Sequence, residues 1–179
     1  YNDTKIHLWR PETGKEVGII PAQPTAVRAM AITPDGKTLA SCGDDTTINL
    51  WNLTTKRLSR SFREHTSNVL SLAVTPDGQI LVSGALDGIR LWRLDQQRPF
   101  YTLVRLDNLI HSVAISPDGQ LLASGDDRGA IKLWSLKTYQ LIRTVVGHSG
   151  TVSTLAFTPD STSLISGSHD RTIKLWNAS

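Results

Sequence analysis

Two short sets of residues in this sequence have the composition of a nucleophilic catalytic site. One set contains His65, Ser83 and Asp87, and the other contains His148, Ser166 and Asp170. A histidine placed between a serine and an aspartate can accept the hydroxyl proton, while the carboxylate holds the imidazole in one tautomer. The first hypothesis that these residues raise is therefore nucleophilic catalysis at an activated serine.

The arrangement of the two sets argues against that chemistry. They recur in phase along the chain, whereas a catalytic site is normally needed once. The sequence contains no Gly-x-Ser-x-Gly elbow, no phosphate-binding P-loop and no His-x₃-His zinc spacing. We therefore predict no catalytic residue, no metal site and no cofactor.

The two sets occupy equivalent positions in a repeat that runs through the whole sequence. Five tryptophans recur every 41 or 42 residues, each at the end of an Ile-x-Leu-Trp stretch: Trp9, Trp51, Trp92, Trp134 and Trp176. A second marker follows the same period, with Thr-Pro-Asp or Ser-Pro-Asp at 33–35, 75–77, 116–118 and 158–160. Two markers that share one period define an internal repeat.

Turn chemistry divides each repeat into four strands. An apolar strand precedes the Pro-Asp-Gly corner and a second strand follows it, because proline sets φ early in the turn and glycine accepts positive φ near its end. The Ile-x-Leu-Trp strand and a more polar outer strand complete the unit. Four antiparallel strands in about 40 residues, without helical periodicity, predict an all-β fold of β-propeller blades.

The repeats resemble the WD-repeat family of β-propellers over all 179 residues. Gly147 and His148 match the Gly-His pair of that family, Asp170 its turn aspartate and Trp176 its tryptophan. The tryptophan is never followed by Asp here, Gln23 and Leu106 stand where histidine is expected, and Arg128 replaces a turn aspartate. The regularity of the repeats looks prokaryotic, similar to that of multidomain signalling or sensor proteins.

The resemblance implies a structural hydrogen-bond network in the two complete repeats. It links a loop, the second strand, a turn and the third strand of one blade, and a buried imidazole suits it because it can donate and accept together. Its members are His65, Ser83, Asp87 and Trp92 in one repeat, and His148, Ser166, Asp170 and Trp176 in the other. The repeats at Gln23 and Leu106 are expected to be held by packing alone.

Composition limits the remaining function classes. The formal charge of +3 and the pI of about 9.2 are mild, and no long run of like charges exists, so composition does not favour nucleic-acid binding, which stays only as an alternative. The basic stretch 56–63 reads as a solvated outer strand that discourages edge pairing. The single cysteine, Cys42, is expected to be a small buried residue. We expect a cytoplasmic protein without a membrane span.

Strand counting predicts about four and a quarter blades. Residues 1–20 form a partial blade, 21–62, 63–104 and 105–146 form full repeats, and 147–179 form a repeat without its outer strand. We expect a segment of a seven-bladed ring completed by further blades, with an eight-bladed ring of two copies or a self-closed four-bladed ring as alternatives. The free edge of the last strand predicts that the isolated chain is not a well-behaved monomer.

The expected function is a non-catalytic scaffold for a protein or peptide, in a larger signalling or sensor protein; a propeller enzyme with a site in the central channel is the competing class. The resemblance places contacts on one loop face at Ala26, Arg28, Asp44, Asn68, Leu70, Leu86, Leu109, His111, Asp127, Thr151, Ser153 and His169. Leu70, Leu86 and Leu109 are expected to form an apolar patch there, although scattered surface leucines are an equally acceptable interpretation.

Overall fold

The structure is a computed structural model that describes residues 4–22, 24–96, 98–104 and 109–178. These residues form seventeen β-strands, which corresponds to the four and a quarter four-stranded blades that the sequence predicts. The strands are β1 Lys5–Arg10, β2 Lys15–Pro21, β3 Val27–Ile32, β4 Thr38–Gly43, β5 Ile48–Asn52, β6 Arg57–Phe62, β7 Val69–Val74, β8 Ile80–Ala85, β9 Gly88–Arg93, β10 Pro99–Val104, β11 Ile110–Ile115, β12 Leu121–Asp126, β13 Ala130–Ser135, β14 Leu141–Val146, β15 Val152–Phe157, β16 Ser163–Ser168 and β17 Ile173–Asn177. Within the described ranges there is no helix with the length and hydropathy to cross a membrane.

The strands form antiparallel sheets in chain order. Blade 1 is β3–β6, blade 2 is β7–β10, blade 3 is β11–β14, and blade 4 contains β15–β17. Strands β1 and β2 form a separate hairpin. The all-β fold of four-stranded antiparallel blades is therefore confirmed, and in each of the four blades an apolar strand precedes the Pro-Asp corner, as the sequence predicts.

The Pro-Asp-Gly corners form the predicted turns between the first and second strands. Gly36, Gly78 and Gly119 have φ values of 68°, 71° and 72°, the left-handed region that glycine enters without a steric penalty. The fourth corner has Ser161 with a φ of 61°. The Ser161 hydroxyl accepts a hydrogen bond from the Asp118 backbone N–H at 3.1 Å, so this corner is linked to that of blade 3.

The hydrophobic core lies between the blades rather than within one of them. Inner strands β3, β7, β11 and β15 pack side by side in that order. Ile48 and Leu50 of blade 1 share a buried cluster with Leu72 and Trp92 of blade 2, and equivalent clusters join blades 2 and 3 and blades 3 and 4. Each blade therefore depends on its neighbour for burial of its apolar side chains.

Cys42 belongs to the first of these clusters. Its side chain is fully buried, and its Sγ–H donates to the carbonyl of Val69 across the interface at 3.3 Å. Desolvation raises the pKa of the thiol to about 12. Its burial confirms that Cys42 is a small buried residue. A thiol that stays protonated is also a poor nucleophile.

The described blades form an open arc. In blade 3, Ile131 and Leu133 are 1% and 3% exposed, because blade 4 covers them. The corresponding Ile173 and Leu175 of blade 4 are 80% and 69% exposed. On the other side of the arc, Ile6 and Ile20 of the β1–β2 hairpin pack against Leu39 and Trp51 of blade 1.

This difference gives a matched test of packing between blades. Leu133→Ala should lower the free energy of unfolding by about 2–5 kcal/mol, because it opens a cavity between blades 3 and 4. Leu175→Ala should change it by no more than about 0.5 kcal/mol, since that side chain has little packing to lose. Urea unfolding of both variants provides the measurement, and equal losses would contradict the open arc.

Candidate functional site

In blade 2 the predicted network is complete. The His65 Nδ1–H donates to Asp87 Oδ1 at 2.6 Å, and the Ser83 hydroxyl donates to His65 Nε2 at 2.6 Å. The Trp92 Nε1–H donates to Ser83 Oγ at 2.8 Å. The Thr66 backbone N–H closes the loop onto Asp87 Oδ2 at 2.8 Å. One chain of hydrogen bonds thus joins the third strand, the second strand, the loop and the turn.

Blade 4 repeats this geometry. His148 Nδ1 lies 2.8 Å from Asp170 Oδ2, and His148 Nε2 lies 2.7 Å from Ser166 Oγ. The Trp176 Nε1–H donates to Ser166 Oγ at 2.7 Å. The Thr172 hydroxyl also donates to Asp170 Oδ1, at 2.6 Å.

The burial of the serines decides what this arrangement does. Ser83 and Ser166 are both fully buried, and each hydroxyl oxygen is already occupied by an indole N–H and an imidazole. A nucleophile needs a free approach for its substrate, whereas these oxygens sit between a tryptophan and a histidine of the same blade. The geometry supports a structural role for both sets.

Blades 1 and 3 are not held by packing alone, which corrects the expectation from the sequence. The Trp51 Nε1–H donates to Ser41 Oγ at 2.9 Å, and the Trp134 Nε1–H donates to Ser124 Oγ at 3.0 Å. The Trp–Ser half of the network therefore persists without histidine. Gln23 and Leu106, which stand at the histidine positions, lie outside the described residues.

In blade 3 a different aspartate takes over the turn. Arg128 occupies the position of the turn aspartate, and its side chain is exposed. Asp126, two residues earlier, accepts hydrogen bonds from the backbone N–H groups of Arg128 and Ala130 at 3.0 and 2.8 Å. The turn thus keeps a carboxylate that binds its backbone, although the carboxylate comes from the end of β12.

The electrostatics of the network follow from its burial. Desolvation lowers the pKa of His65 to about 4, which outweighs the opposing effect of Asp87, so the imidazole is neutral at pH 7. Desolvation alone would raise the pKa of Asp87, but hydrogen bonds from Thr66, Arg90 and His65 outweigh it and lower that pKa to about 2. The hydrogen bond from the Thr172 hydroxyl is the main cause that lowers the pKa of Asp170.

Sequence reasoning missed the residues on the third strand that reinforce the network. Arg90 Nη1 donates to Asp87 Oδ2 at 2.7 Å. In blade 4, Lys174 at the corresponding position donates from Nζ to the carbonyl of Gly147. A cation between the isoleucine and leucine of the third strand, in a repeat that also has the histidine, is the signal that could have identified them.

The predicted loop-face residues of blade 1 and blade 2 form one bonded group. The Arg28 guanidinium donates to both carboxylate oxygens of Asp44, at 2.8 and 2.7 Å. The Asn68 amide donates to Asp44 Oδ1 at 3.1 Å across the blade boundary, and the Leu86 N–H donates to the carbonyl of Asn68 at 3.2 Å. The structure thus brings these four residues together.

A second bonded group links blades 3 and 4. The Asp127 N–H donates to the carbonyl of Leu109 at 3.1 Å, and the His169 N–H donates to the carbonyl of Thr151 at 2.9 Å. The Thr151 hydroxyl donates to the carbonyl of Asp127 at 3.4 Å and joins the two blades. Both groups lie at the strand ends opposite the Pro-Asp-Gly corners.

Four of the contact positions, one in each blade, share one backbone irregularity. The pairing between the first and second strands shifts in register at the same point of every blade. The residue without a register partner is Arg28, Leu70, His111 or Ser153. A bulge of this kind redirects the side chain that it carries and often borders functional surfaces.

The predicted leucine patch has unequal exposure. Leu109 is 41% exposed, whereas Leu70 and Leu86 are half-buried, and Ala26 is half-buried as well. Whether this surface binds a partner remains a prediction. Among the described residues there is no group of three or more His, Cys, Asp or Glu arranged to hold a metal ion.

The architecture agrees with that of a known protein family. The family model of the IFT122 first beta-propeller matches residues 1–179. The chain belongs to this family. The match confirms the β-propeller inferred from the repeats and is consistent with a propeller of the WD-repeat type. A comparison with curated proteins gave no significant match.

The Trp–Ser bond should stabilise blades with and without histidine. Ser124→Ala in blade 3 and Ser41→Ala in blade 1 should each cost about 1–3 kcal/mol in the free energy of unfolding, because each leaves a buried indole N–H without a partner. Urea denaturation checks this, with exposed Ser59→Ala in β6 as a control that is expected to be neutral. Losses no larger than that of the control would show that packing alone holds these blades.

The lowered pKa of His65 makes the stability of blade 2 depend on pH. The unfolded chain has a histidine pKa of about 6.5 and binds a proton that the folded state excludes, so stability is lost as pH falls from about 6.5 towards 4. The free energy of unfolding should drop by on the order of 2 kcal/mol between pH 7.5 and pH 5 from this residue. Asp87 does not affect the pH dependence in this range, because its stabilising effect is lost only as pH falls below its unfolded pKa of about 3.9.

His65→Gln is the matched variant for this measurement, since glutamine occupies the corresponding position 23 of blade 1. Urea midpoints at pH 7.5, 6 and 5 should decline less steeply in the variant. A slope equal to that of the parent protein would exclude His65 as the titrating group.

Proposed function

We propose that this propeller segment is a scaffold that binds a protein or peptide partner at its loop face, the strand ends opposite the Pro-Asp-Gly corners. A β-propeller in general serves as an interaction scaffold, and family membership supports that level of description. The observation that carries the proposal is the bonding of predicted contact residues across blade boundaries, from Asn68 to Asp44 and from Thr151 to Asp127. Such bonds make one continuous surface of neighbouring blades.

Hydrogen bonds within the protein position the side chains of this surface before a partner binds. Arg28 and Asp44 hold each other in a two-point geometry, which fixes both side chains at the bulge of blade 1. The buried networks of blades 2 and 4 fix the turns that carry Leu86 and His169. Less conformational entropy is then lost on binding, which favours affinity.

The leucines are proposed as the apolar centre of this surface. Leu109 exposes 41% of its surface directly before the inner strand of blade 3, and half-buried Leu70 and Leu86 belong to blade 2. Binding sites commonly combine an apolar centre with a polar border. Arg28 and Asp44 on one side and Thr151 and His169 on the other would supply that border.

The exposed apolar face of blade 4 is a second surface for which we propose a partner. We propose that the exposed Ile165, Ile173 and Leu175 of blade 4 are covered by further propeller blades or by a second copy of the chain. The support is the corresponding face of blade 3, where Ile131 and Leu133 are buried under the next blade. We further propose a cytoplasmic protein with this segment as one module of a larger signalling or sensor protein.

A charge reversal of the apolar centre tests the proposed loop face. Leu86→Glu with Leu109→Glu should abolish capture of protein partners in affinity purification from the source cells, because two carboxylates would have to be buried without counter-ions. The matched control is Gln79→Glu with Gln120→Glu, which adds the same charges to the same two blades at the opposite, exposed corners. Circular dichroism and urea midpoints verify that both variants are folded.

The control should capture the same proteins as the parent chain. Undiminished capture by the leucine variant, or equal loss in both variants, would overturn the assignment of this surface.

A further inference from the structure

Two arginines lie at the loop face, in the turns between the second and third strands of blades 3 and 4. Arg128 belongs to the turn between β12 and β13, and Arg171 to the turn between β16 and β17. Both side chains are exposed. Among the residues that the structure describes, no carboxylate forms an ion pair with either guanidinium. Neighbouring blades thus present two free positive charges.

The turn of blade 3 does not use the side chain of Arg128. The strand registers place this arginine at a position where the other blades have aspartate: Asp45, Asp87 and Asp170. The backbone N–H groups of the turn are bonded by Asp126 instead. A cation therefore stands where the other blades have a carboxylate, and no contact within the described part of the chain accounts for it.

The backbone at Arg171 has the left-handed conformation that favours glycine. Its φ is 67°, and the corresponding residues are Gly129 with 85° in blade 3 and Thr46 with 63° in blade 1. Glycine adopts this conformation without the steric penalty that a side chain brings. Blade 4 thus keeps a long cationic side chain at a position where the fold itself would favour glycine.

An exposed leucine lies beside these charges. The Leu109 N–H donates to Asp127 Oδ1 at 3.2 Å, and the Asp127 N–H donates to the carbonyl of Leu109 at 3.1 Å. Leu109, which is 41% exposed, is therefore bonded to the residue directly before Arg128. Blades 2 and 4 flank blade 3, so the exposure of Leu109 and Arg128 is that of a blade with both neighbours in place.

The aspartates next to the two arginines are already occupied. Asp126 is buried, and Asp127 accepts the N–H of the leucine. Asp170 accepts a backbone N–H and a hydroxyl of its own blade. In blade 1, by contrast, Arg28 is paired with Asp44 in a two-point geometry. The unbalanced positive charge of these turns therefore lies beside blades 3 and 4.

From these observations we infer that the loop face binds a segment of a partner protein in which an aliphatic residue adjoins two or more carboxylates. The inference rests on the function proposed above and adds the chemistry of the partner. The aliphatic side chain would cover Leu109, and the carboxylates would accept hydrogen bonds from Arg128 and Arg171, since guanidinium groups bind carboxylates at two points. Nucleic-acid phosphates would use the arginines but leave the leucine uncovered, so a protein segment is favoured.

Peptide selection tests this chemistry. A random peptide library displayed on phage is selected on the 179-residue chain, and enriched sequences should combine leucine, isoleucine or valine with at least two nearby aspartates or glutamates. One enriched peptide is synthesised with a fluorophore, together with a version in which asparagine and glutamine replace its carboxylates. Fluorescence anisotropy should show binding of the neutral version weakened about tenfold or more, and binding of the acidic version weakened by salt.

Two double variants of the protein are matched for this measurement. Arg128→Gln with Arg171→Gln removes both charges and should weaken binding of the acidic peptide about tenfold or more. Lys37→Gln with Lys137→Gln removes two exposed charges at the opposite strand ends and should bind the peptide as the parent chain does. All four side chains are exposed, so both variants are expected to fold.

Enrichment of neutral or basic peptides, absence of enrichment above background, or equal affinity of the parent and the Arg128→Gln, Arg171→Gln variant would overturn the inference. Displacement of the acidic peptide by a single-stranded oligonucleotide of equal or higher affinity would assign the arginines to phosphate and overturn it too. The proposed function is judged separately. A neutral peptide whose binding is abolished by Leu86→Glu with Leu109→Glu would keep the loop face as a binding surface and exclude the acidic partner.

Discussion

Burial of apolar side chains between neighbouring blades is the constraint on which the rest of this structure depends. A blade has apolar residues on both faces, so it cannot bury them within its own sheet. Ile131 and Leu133 lose nearly all their accessible surface against blade 4, whereas their counterparts Ile173 and Leu175 keep most of theirs. Stability is therefore shared between neighbours, as in other repeat proteins. The loop face depends on the same packing, because that packing places the strand ends of neighbouring blades side by side.

Hydrogen bonding then gives each blade one fixed geometry. In all four blades a buried serine hydroxyl accepts an indole N–H, and it ties the second strand to the third. Histidine and aspartate extend that bond to the loop and the turn in blades 2 and 4. The resulting chain resembles a catalytic triad in its distances, but the burial of the serine oxygen supports a structural role. The turns fixed in this way carry Leu86 and His169 of the loop face.

Features that depend on local sequence could be predicted, and features that depend on contacts between repeats could not. The inner strands and Pro-Asp-Gly corners follow from apolar runs and turn residues, and both were predicted correctly. The role of Asp126 was missed because Arg128 occupies the usual turn position, and a neighbouring carboxylate took its place. The Arg28–Asp44 pair and the link from Asp118 to Ser161 join segments that sequence alone does not place side by side.

The indole N–H protons offer the most direct test of this account, whose central claim is that a Trp–Ser bond organises every described blade. The five tryptophans give separate resonances in a ¹H–¹⁵N spectrum. Trp51, Trp92, Trp134 and Trp176 should exchange their indole protons with deuterium slowly, because each is bonded to a buried serine. Trp9, which is 58% exposed in the hairpin, should exchange fast. Exchange of Trp51 and Trp134 as fast as that of Trp9 would contradict the account.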